Sequence, residues 1–352
     1  MKMLKVGVIG VGSISELHLD SYKEHEEVTI TALCDLNETR LQEKGSKYGV
    51  SQLYTSYQEL LDQSDVDAVS ICTWNNSHAE IAIAALLAGK HVLVEKPLSM
   101  TVDEAEAIQA TANQSNKVIQ VGFVRRHGDN VKLLKEFIDQ NELGYLYYAK
   151  ASILRRLGNP GGWFSDSKRS GGGPLIDIGV HMIDLCWYLM GKPKPVSVSG
   201  NTYHVLGNRS HINNLSFYKA ADYDPSLNDV EDLTNALIRF DNGASLFVDV
   251  SFTLNAKQDE VRCQLFGDQG GAEIEPELSL VSEKHNTILN LEPQIDQLSF
   301  DFNSAFQNEI NHFIQQIKGE ESNMAPVEDG VEVMRMLRAV YESAESGKEV
   351  TL

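Results

Sequence analysis

Three residues of this 352-residue chain have the types and surroundings that suit proton transfer: Lys96, Asp177 and His181. Lys96 lies in Glu95-Lys96-Pro97, directly after the apolar run His91–Val94. A proline there fixes the turn and can hold the lysine at a strand end. Asp177 and His181 lie in the stretch that begins Gly171-Gly172-Gly173-Pro174. Pro174 suits a first helical turn. A spacing of four puts the carboxylate and the imidazole on one helical face, with Asp184 three residues further on. A carboxylate, an imidazole and an amine of this kind can manage the hydroxyl proton of an alcohol undergoing oxidation. Alone, such a lysine is ordinarily a surface residue and such a histidine a structural one. The pairing of His181 with Asp177 behind three glycines favours the functional reading.

A second motif says what would accept the electrons. Gly10-Val11-Gly12-Ser13-Ile14-Ser15 follows the strand pattern Lys5–Ile9 and opens a helix pattern. Gly10 permits a tight turn, and Gly12 lets a pyrophosphate approach the backbone. Ser15 stands where a third glycine or alanine is usual, a departure expected to loosen helix–strand packing slightly. The next strand ends in Asp35, 23 residues after Gly12, close to the spacing of about 20 for a ribose-binding carboxylate. Leu36 and Asn37 bring no cation for a 2′-phosphate, so the predicted cofactor is NAD rather than NADP. Thr73-Trp74-Asn75-Asn76-Ser77-His78 follows another strand pattern. In an open α/β sheet ligands bind beyond the carboxyl ends of strands. The predicted cofactor contacts are therefore Gly10, Gly12, Ser13, Ile14, Asp35, Thr73, Trp74, Asn75, His78, Glu95 and Lys96.

These motifs need a scaffold, and the hydrophobic patterning supplies two. Strand patterns at Lys5–Ile9, Val28–Cys34, Val66–Cys72, His91–Val94 and Val118–Phe123 alternate with helix patterns such as Ala79–Ala88 and Val102–Thr111. That alternation predicts a doubly wound parallel Rossmann sheet over residues 1–123. Residues 124–352 read as an α+β domain with a large, mostly antiparallel open sheet for substrate binding and oligomerisation. Its elements are a helix from Pro174 to Leu189, then strands Val196–Val205, Leu233–Phe240, Ala244–Leu254, Val261–Phe266 and Gly271–Glu275. Asp241-Asn242-Gly243 predicts a hairpin turn. Helix patterns return at Ser304–Ile317 and Asp329–Ser343, and a C-terminal helix over 329–346 is expected to turn back toward the first domain. Leu206–Asn228 has no period and reads as a surface excursion.

Composition narrows the partners. The 30 basic and 50 acidic residues give a net charge of −20, a field that repels phosphate backbones and anionic membranes. Cysteines 34, 72, 186 and 263 form no close pair, so neither a zinc site nor a disulfide framework is expected. Met1-Lys2-Met3-Leu4-Lys5 leads straight into a strand pattern, with no signal-like segment and no run of about eighteen apolar residues. A cytoplasmic chain is the expectation.

The sequence resembles the glucose–fructose oxidoreductase and inositol dehydrogenase family over essentially its whole length. The resemblance rests on the Gly10/Gly12 turn, on Glu95-Lys96-Pro97, and on Gly122-Phe123 with Arg125 and Arg126 behind it. It continues in Gly172-Gly173 through Asp177, His181 and Asp184, and in Glu328-Asp329-Gly330 leading to Ser343 and Gly347. Members carry proline where this chain has Trp74, a departure at a cofactor-facing turn. The resemblance implies a sugar or polyol substrate. It also implies Lys96, Asp177 and His181 as the catalytic set, with Lys96 touching both substrate and cofactor. Arg126 and Trp163 are further substrate candidates, each with a plain packing or salt-bridge alternative. The readings that compete with a dehydrogenase are an NAD-dependent glycosidase working by transient oxidation and a non-catalytic NAD-binding sensor. A homodimer or homotetramer is expected from an exposed sheet face.

Overall fold

The computed structural model describes residues 3–352, which divide into two compact units. The first runs to His127 and adds residues 302–334; the second comprises residues 128–301 and 335–352. In the first unit six strands form one parallel sheet in the order β3-β2-β1-β4-β5-β6. They are β1 (Leu4–Ile9), β2 (Val28–Cys34), β3 (Gln52–Tyr54), β4 (Ala68–Ile71), β5 (His91–Glu95) and β6 (Ile119–Gly122). β4 and β6 are buried at every position, as strands covered on both faces must be. Helix α1 (Ser15–Glu24) follows β1, and α2 (Glu38–Tyr48) follows β2. The three-residue β3 was not predicted, because Gln52-Leu53-Tyr54 is too short and too polar to show a period.

The compact unit built on the predicted first domain, residues 1–123, also takes in a C-terminal helix, and the physical reason is burial. Ile310, Phe313 and Ile314, on the helix Phe302–Lys318, sit in one apolar cluster with Val6, Val8, Leu19 and Leu93. The amphipathic period of that helix shows that it has a buried face. The face it packs against lies almost 300 residues earlier. The helix Val327–Ser346 has residues in both units, changing at Met334/Arg335.

In the second unit nine strands form a sheet in the order β14-β13-β12-β11-β7-β10-β9-β8-β15. They are β7 (Leu146–Leu154), β8 (Pro195–Tyr203), β9 (Leu233–Phe240), β10 (Ser245–Ser251), β11 (Glu260–Gly267), β12 (Gly270–Glu275), β13 (Ser279–Lys284), β14 (Thr287–Leu291) and β15 (Val350–Thr351). Only the β7–β10 pair is parallel. The β9–β10 hairpin turns at the predicted Asp241-Asn242-Gly243, with Gly243 at φ +88°. One sheet face buries Ala149, Ala151, Val248, Val250 and Leu265, and the helix Val180–Leu189 packs on the same strands. The opposite face leaves Tyr148, Phe247, Phe266 and Leu237 half-buried, with Tyr148 and Phe266 stacked at 5.4 Å. Residues 204–232 form no helix or strand.

Candidate active site

Gly10 has φ +85°, and a Cβ there would stand 2.7 Å from the backbone of Cys72, so no other residue fits. A Cβ on Gly12 would meet nothing within 4 Å. The space beside the turn is open where a pyrophosphate needs room, at the N-terminal end of α1. Ser15 does not loosen the packing as expected. It is fully buried, and its hydroxyl donates to the Gly12 carbonyl at 2.7 Å, which locks the turn.

Asp35 is nearly buried and held by three donors. Val11 N–H reaches Oδ2 at 2.8 Å; Asn37 N–H and the Arg40 guanidinium reach Oδ1 at 2.8 and 3.1 Å. The carboxylate is thus fixed before any ribose arrives, and the residues fit NAD. Arg40 is not apparent from the sequence as a partner of Asp35, because it stands about one helical turn beyond Asn37. Asn37 caps the helix by accepting from Arg40 N–H at 3.0 Å, which puts Arg40 in the first turn after Asp35.

Thr73, Trp74 and Lys96 are half-buried at the carboxyl ends of β4 and β5, while Asn75 is buried. Two of the predicted cofactor contacts are hydrogen-bonded inside the first unit. His78 is fully buried, its Nδ1 2.7 Å from the Pro97 carbonyl and its Nε2 3.2 Å from the Thr73 carbonyl. Burial pushes its pKa down despite those carbonyls. It pins the Lys96-Pro97 turn to the Thr73 turn. Glu95 is also buried, with one oxygen 2.8 Å from His18 Nε2 and the other accepting from Lys96 N–H.

In the second unit, residues predicted as one α-helix from Pro174 form a π-helix at Leu175–Gly179, then an α-helix at Val180–Leu189. π turns occur disproportionately at functional sites. Between Leu175 and Leu189 every residue is buried except Asp177, His181 and Tyr188. The start of this segment is held by Glu231, itself buried. Its Oε2 accepts from Gly173 N–H at 2.8 Å, and its Oε1 accepts from Leu175 N–H at 3.2 Å and the Tyr341 hydroxyl at 2.9 Å. Burial, then the Glu231 charge, raises the Tyr341 pKa, so the phenol stays a donor. The glycines follow from this crowding: a Cβ on Gly173 would lie 2.5 Å from the Glu231 carbonyl, and one on Gly172 would strike the Tyr341 hydroxyl. Asp184 is buried.

Arg126 is among the largest fully buried side chains; its guanidinium donates to Asp329 and to the Met324 carbonyl, both at 2.6 Å. It ties the C-terminal return of the first unit together, the salt-bridge alternative given for it from the sequence. Trp163 is half-buried and stacked on Phe164 at 4.0 Å. Its segment is anchored by the 204–232 excursion: Ala220 N–H donates to the Pro160 carbonyl at 2.8 Å and Asn159 to Asn228 at 2.9 Å.

Comparison with known proteins agrees with this architecture. Residues 4–123 match a model described as "Oxidoreductase family, NAD-binding Rossmann fold", and residues 135–352 match "Oxidoreductase family, C-terminal alpha/beta domain". The chain is similar to the D-glucoside 3-dehydrogenase of Escherichia coli (strain K12), 31% identical over 352 residues and covering 99% of this chain and 97% of that one. It is 28% identical to the myo-inositol 2-dehydrogenase of Thermotoga maritima, covering 99% and 98% of the two chains. Among solved structures, an oxidoreductase domain protein from Kribbella flavida shares the fold with a TM-score of 0.86 at 26% identity, over 100% of this chain and 99% of that one. Levoglucosan dehydrogenase in complex with NADH shares it with a TM-score of 0.86 at 24% identity, over 99% of each. With both family models matched along the chain and a relative 31% identical over 99% of it, the chain belongs to the GFO/IDH/MocA family of NAD-dependent oxidoreductases.

Proposed function

We propose that the chain interconverts a secondary alcohol and a ketone on a sugar, glycoside or polyol, with NAD as the redox partner. The observation that carries this reading is the exposure pattern of the helix after the glycines, where the stretch from Leu175 to Trp187 is buried except at Asp177 and His181. The substrate class follows from relatives named for glucoside, inositol and levoglucosan. Bound NAD supplies the hydride acceptor. His181 takes the hydroxyl proton as the carbon is oxidised and returns it in reduction. Asp177 orients His181 and balances the charge it acquires. Lys96, pinned through Pro97 and His78, stabilises the negative charge that builds on the substrate oxygen.

The test is NADH absorbance with purified protein, NAD, and a panel of methyl α-D-glucopyranoside, D-glucose, levoglucosan, myo-inositol and scyllo-inositol. Turnover of at least one member with NAD, and little with NADP, is the expected result. Inactivity on the whole panel refutes the substrate class, and a preference for NADP refutes the role of Asp35. The half-buried Tyr148, Phe247, Phe266 and Leu237 support a second copy of the chain as the cover for that sheet face. The four cysteines, all buried free thiols, suit a cytosolic setting.

A further inference from the structure

The inner face of α1 is polar where a helix packed on a central sheet is ordinarily apolar. His18 and Tyr22, four residues apart, are both fully buried, and so is Ser70 on β4. They form a chain of hydrogen bonds: Tyr22 hydroxyl to Ser70 Oγ at 2.7 Å, Ser70 Oγ to His18 Nδ1 at 3.3 Å, and His18 Nε2 to Glu95 Oε1 at 2.8 Å. Glu95 Oε2 then accepts from the backbone N–H of Lys96 at 3.2 Å. One direction of donation satisfies every group. The phenol, kept protonated by burial, donates to Ser70, Ser70 to Nδ1, and Nε2–H to the carboxylate. The His18 and Phe306 rings meet edge to face with centroids 5.3 Å apart, a contact that helps orient the imidazole.

The neighbouring strand is shaped around this carboxylate. Gly122 pairs with Glu95 across β5 and β6, and a Cβ there would lie 3.1 Å from the Glu95 Cα and 3.3 Å from its Oε2. A side chain at 122 would crowd the Glu95 backbone and carboxylate, which would have to give by a few tenths of an ångström. Buried polar chains are costly unless every member is satisfied, and satisfied ones fix a single geometry.

We propose that His18 and Glu95 are positioning residues for Lys96, a relay that couples the helix at the cofactor turn to the backbone of the lysine. The inference rests on the role given to Lys96 above. Neither residue touches substrate; each acts by holding the lysine's backbone where the side chain can reach the reacting oxygen.

Two variants of similar size separate positioning from bulk structure. In His18→Gln the amide nitrogen takes the place of Nε2 and can still donate to Glu95; in His18→Asn it takes the place of Nδ1 and cannot reach. The assays are kcat and KM with methyl α-D-glucopyranoside, levoglucosan and myo-inositol, NADH Kd by fluorescence titration, and thermal melting. His18→Asn and Glu95→Ala should lower kcat by about 10- to 100-fold, the scale of a lysine misplaced by about 1 Å. NADH Kd and KM should stay within about twofold, and His18→Gln should recover most of the loss. Equal activity of His18→Gln and His18→Asn overturns the relay, as does a kcat loss matched by an equal loss of NADH affinity. If His18→Asn fails to fold, Glu95→Gln decides: it keeps the volume but replaces the carboxylate, and unchanged kcat overturns the proposal. Lys96→Ala separates the two levels. If it stays active, the reading of Lys96 fails and the relay with it. If it is inactive while the His18 and Glu95 variants are normal, the relay alone fails.

Discussion

The two functional halves of the molecule are built at different ranges along the chain. The cofactor half is local: Gly10, Gly12, Ser15 and Asp35 lie within 26 residues, and the donors to Asp35 come from Val11, Asn37 and Arg40. The helix that carries Asp177 and His181 is held from afar, by Glu231 more than 50 residues on and by Tyr341, 110 residues beyond Glu231. A site whose constraints are local can be read as a motif. A site held by distant buried groups shows only the residues that meet the ligand, and not those that keep them there.

The largest expected effect tests whether the two halves do different work. Lys96→Ala and His181→Ala should each lower kcat by about 10²–10⁴-fold, with NADH Kd, followed by fluorescence, nearly unchanged. A comparable loss of NADH affinity would erase the distinction between binding and chemistry. Next, Gly10→Ala must place a Cβ against the Cys72 backbone at positive φ. It should cost roughly 3 kcal/mol or more in denaturant unfolding, whereas Gly12→Ala should fold normally and lose NAD affinity instead.

On the distant side, Glu231→Ala strips the acceptor from two buried backbone N–H groups and from Tyr341. A cost of about 2–4 kcal/mol is expected, with turnover falling and NADH Kd holding. Tyr341→Phe should cost only about 1 kcal/mol, one hydrogen bond. Should Glu231→Ala keep both stability and kcat, the helix would not depend on remote support. Arg40→Ala should weaken NAD binding by roughly threefold, the scale of one partly exposed charged hydrogen bond, which isothermal titration can resolve.

The smallest effect is in pH. Burial, with Lys117 adding to it, pushes the His91 pKa down to about 4, and its Nδ1 accepts from Val118 N–H at 3.1 Å, tying β5 to β6. An unfolded histidine titrates near 6.5. Below that pH the unfolded chain takes up the proton that the folded chain refuses. The contribution is therefore complete above about pH 6.5 and is lost as pH falls toward 4. His78, also lowered, acts in the same direction. Between pH 7 and pH 5 the Tm should fall by roughly 2–4 °C, and less in His91→Gln. An equal fall in the variant would assign the acid sensitivity elsewhere.

Much of the scaffold was legible because period and turn chemistry are properties of neighbours. β2 and β9 match their predicted spans, and the Asp241-Asn242-Gly243 turn falls where glycine at positive φ requires it. β7 escaped because Leu146–Leu154 mixes two tyrosines and a lysine into a strand with one uncovered face. The π turn at Leu175–Gly179 has no sequence period of its own. His18 was invisible because a histidine inside an amphipathic helix reads as surface until Ser70 and Glu95 are seen beneath it. Arg126 looked like a ligand for the converse reason: its partner Asp329 is some 200 residues away.

The 204–232 segment has a further consequence. Its neck is cinched, since Asp232 accepts from the N–H groups of both Val205 and Leu206, and its far side is pegged to the Asn159–Ser165 stretch through Asn228 and Asp229. Between such fixed points chain length is cheap: doubling a loop adds only about 0.6 kcal/mol of closure entropy. The segment is thus a strap whose length between its ties can vary at little entropic cost, while the ties themselves, Ala220 to Pro160 among them, hold the Asn159–Ser165 stretch in place.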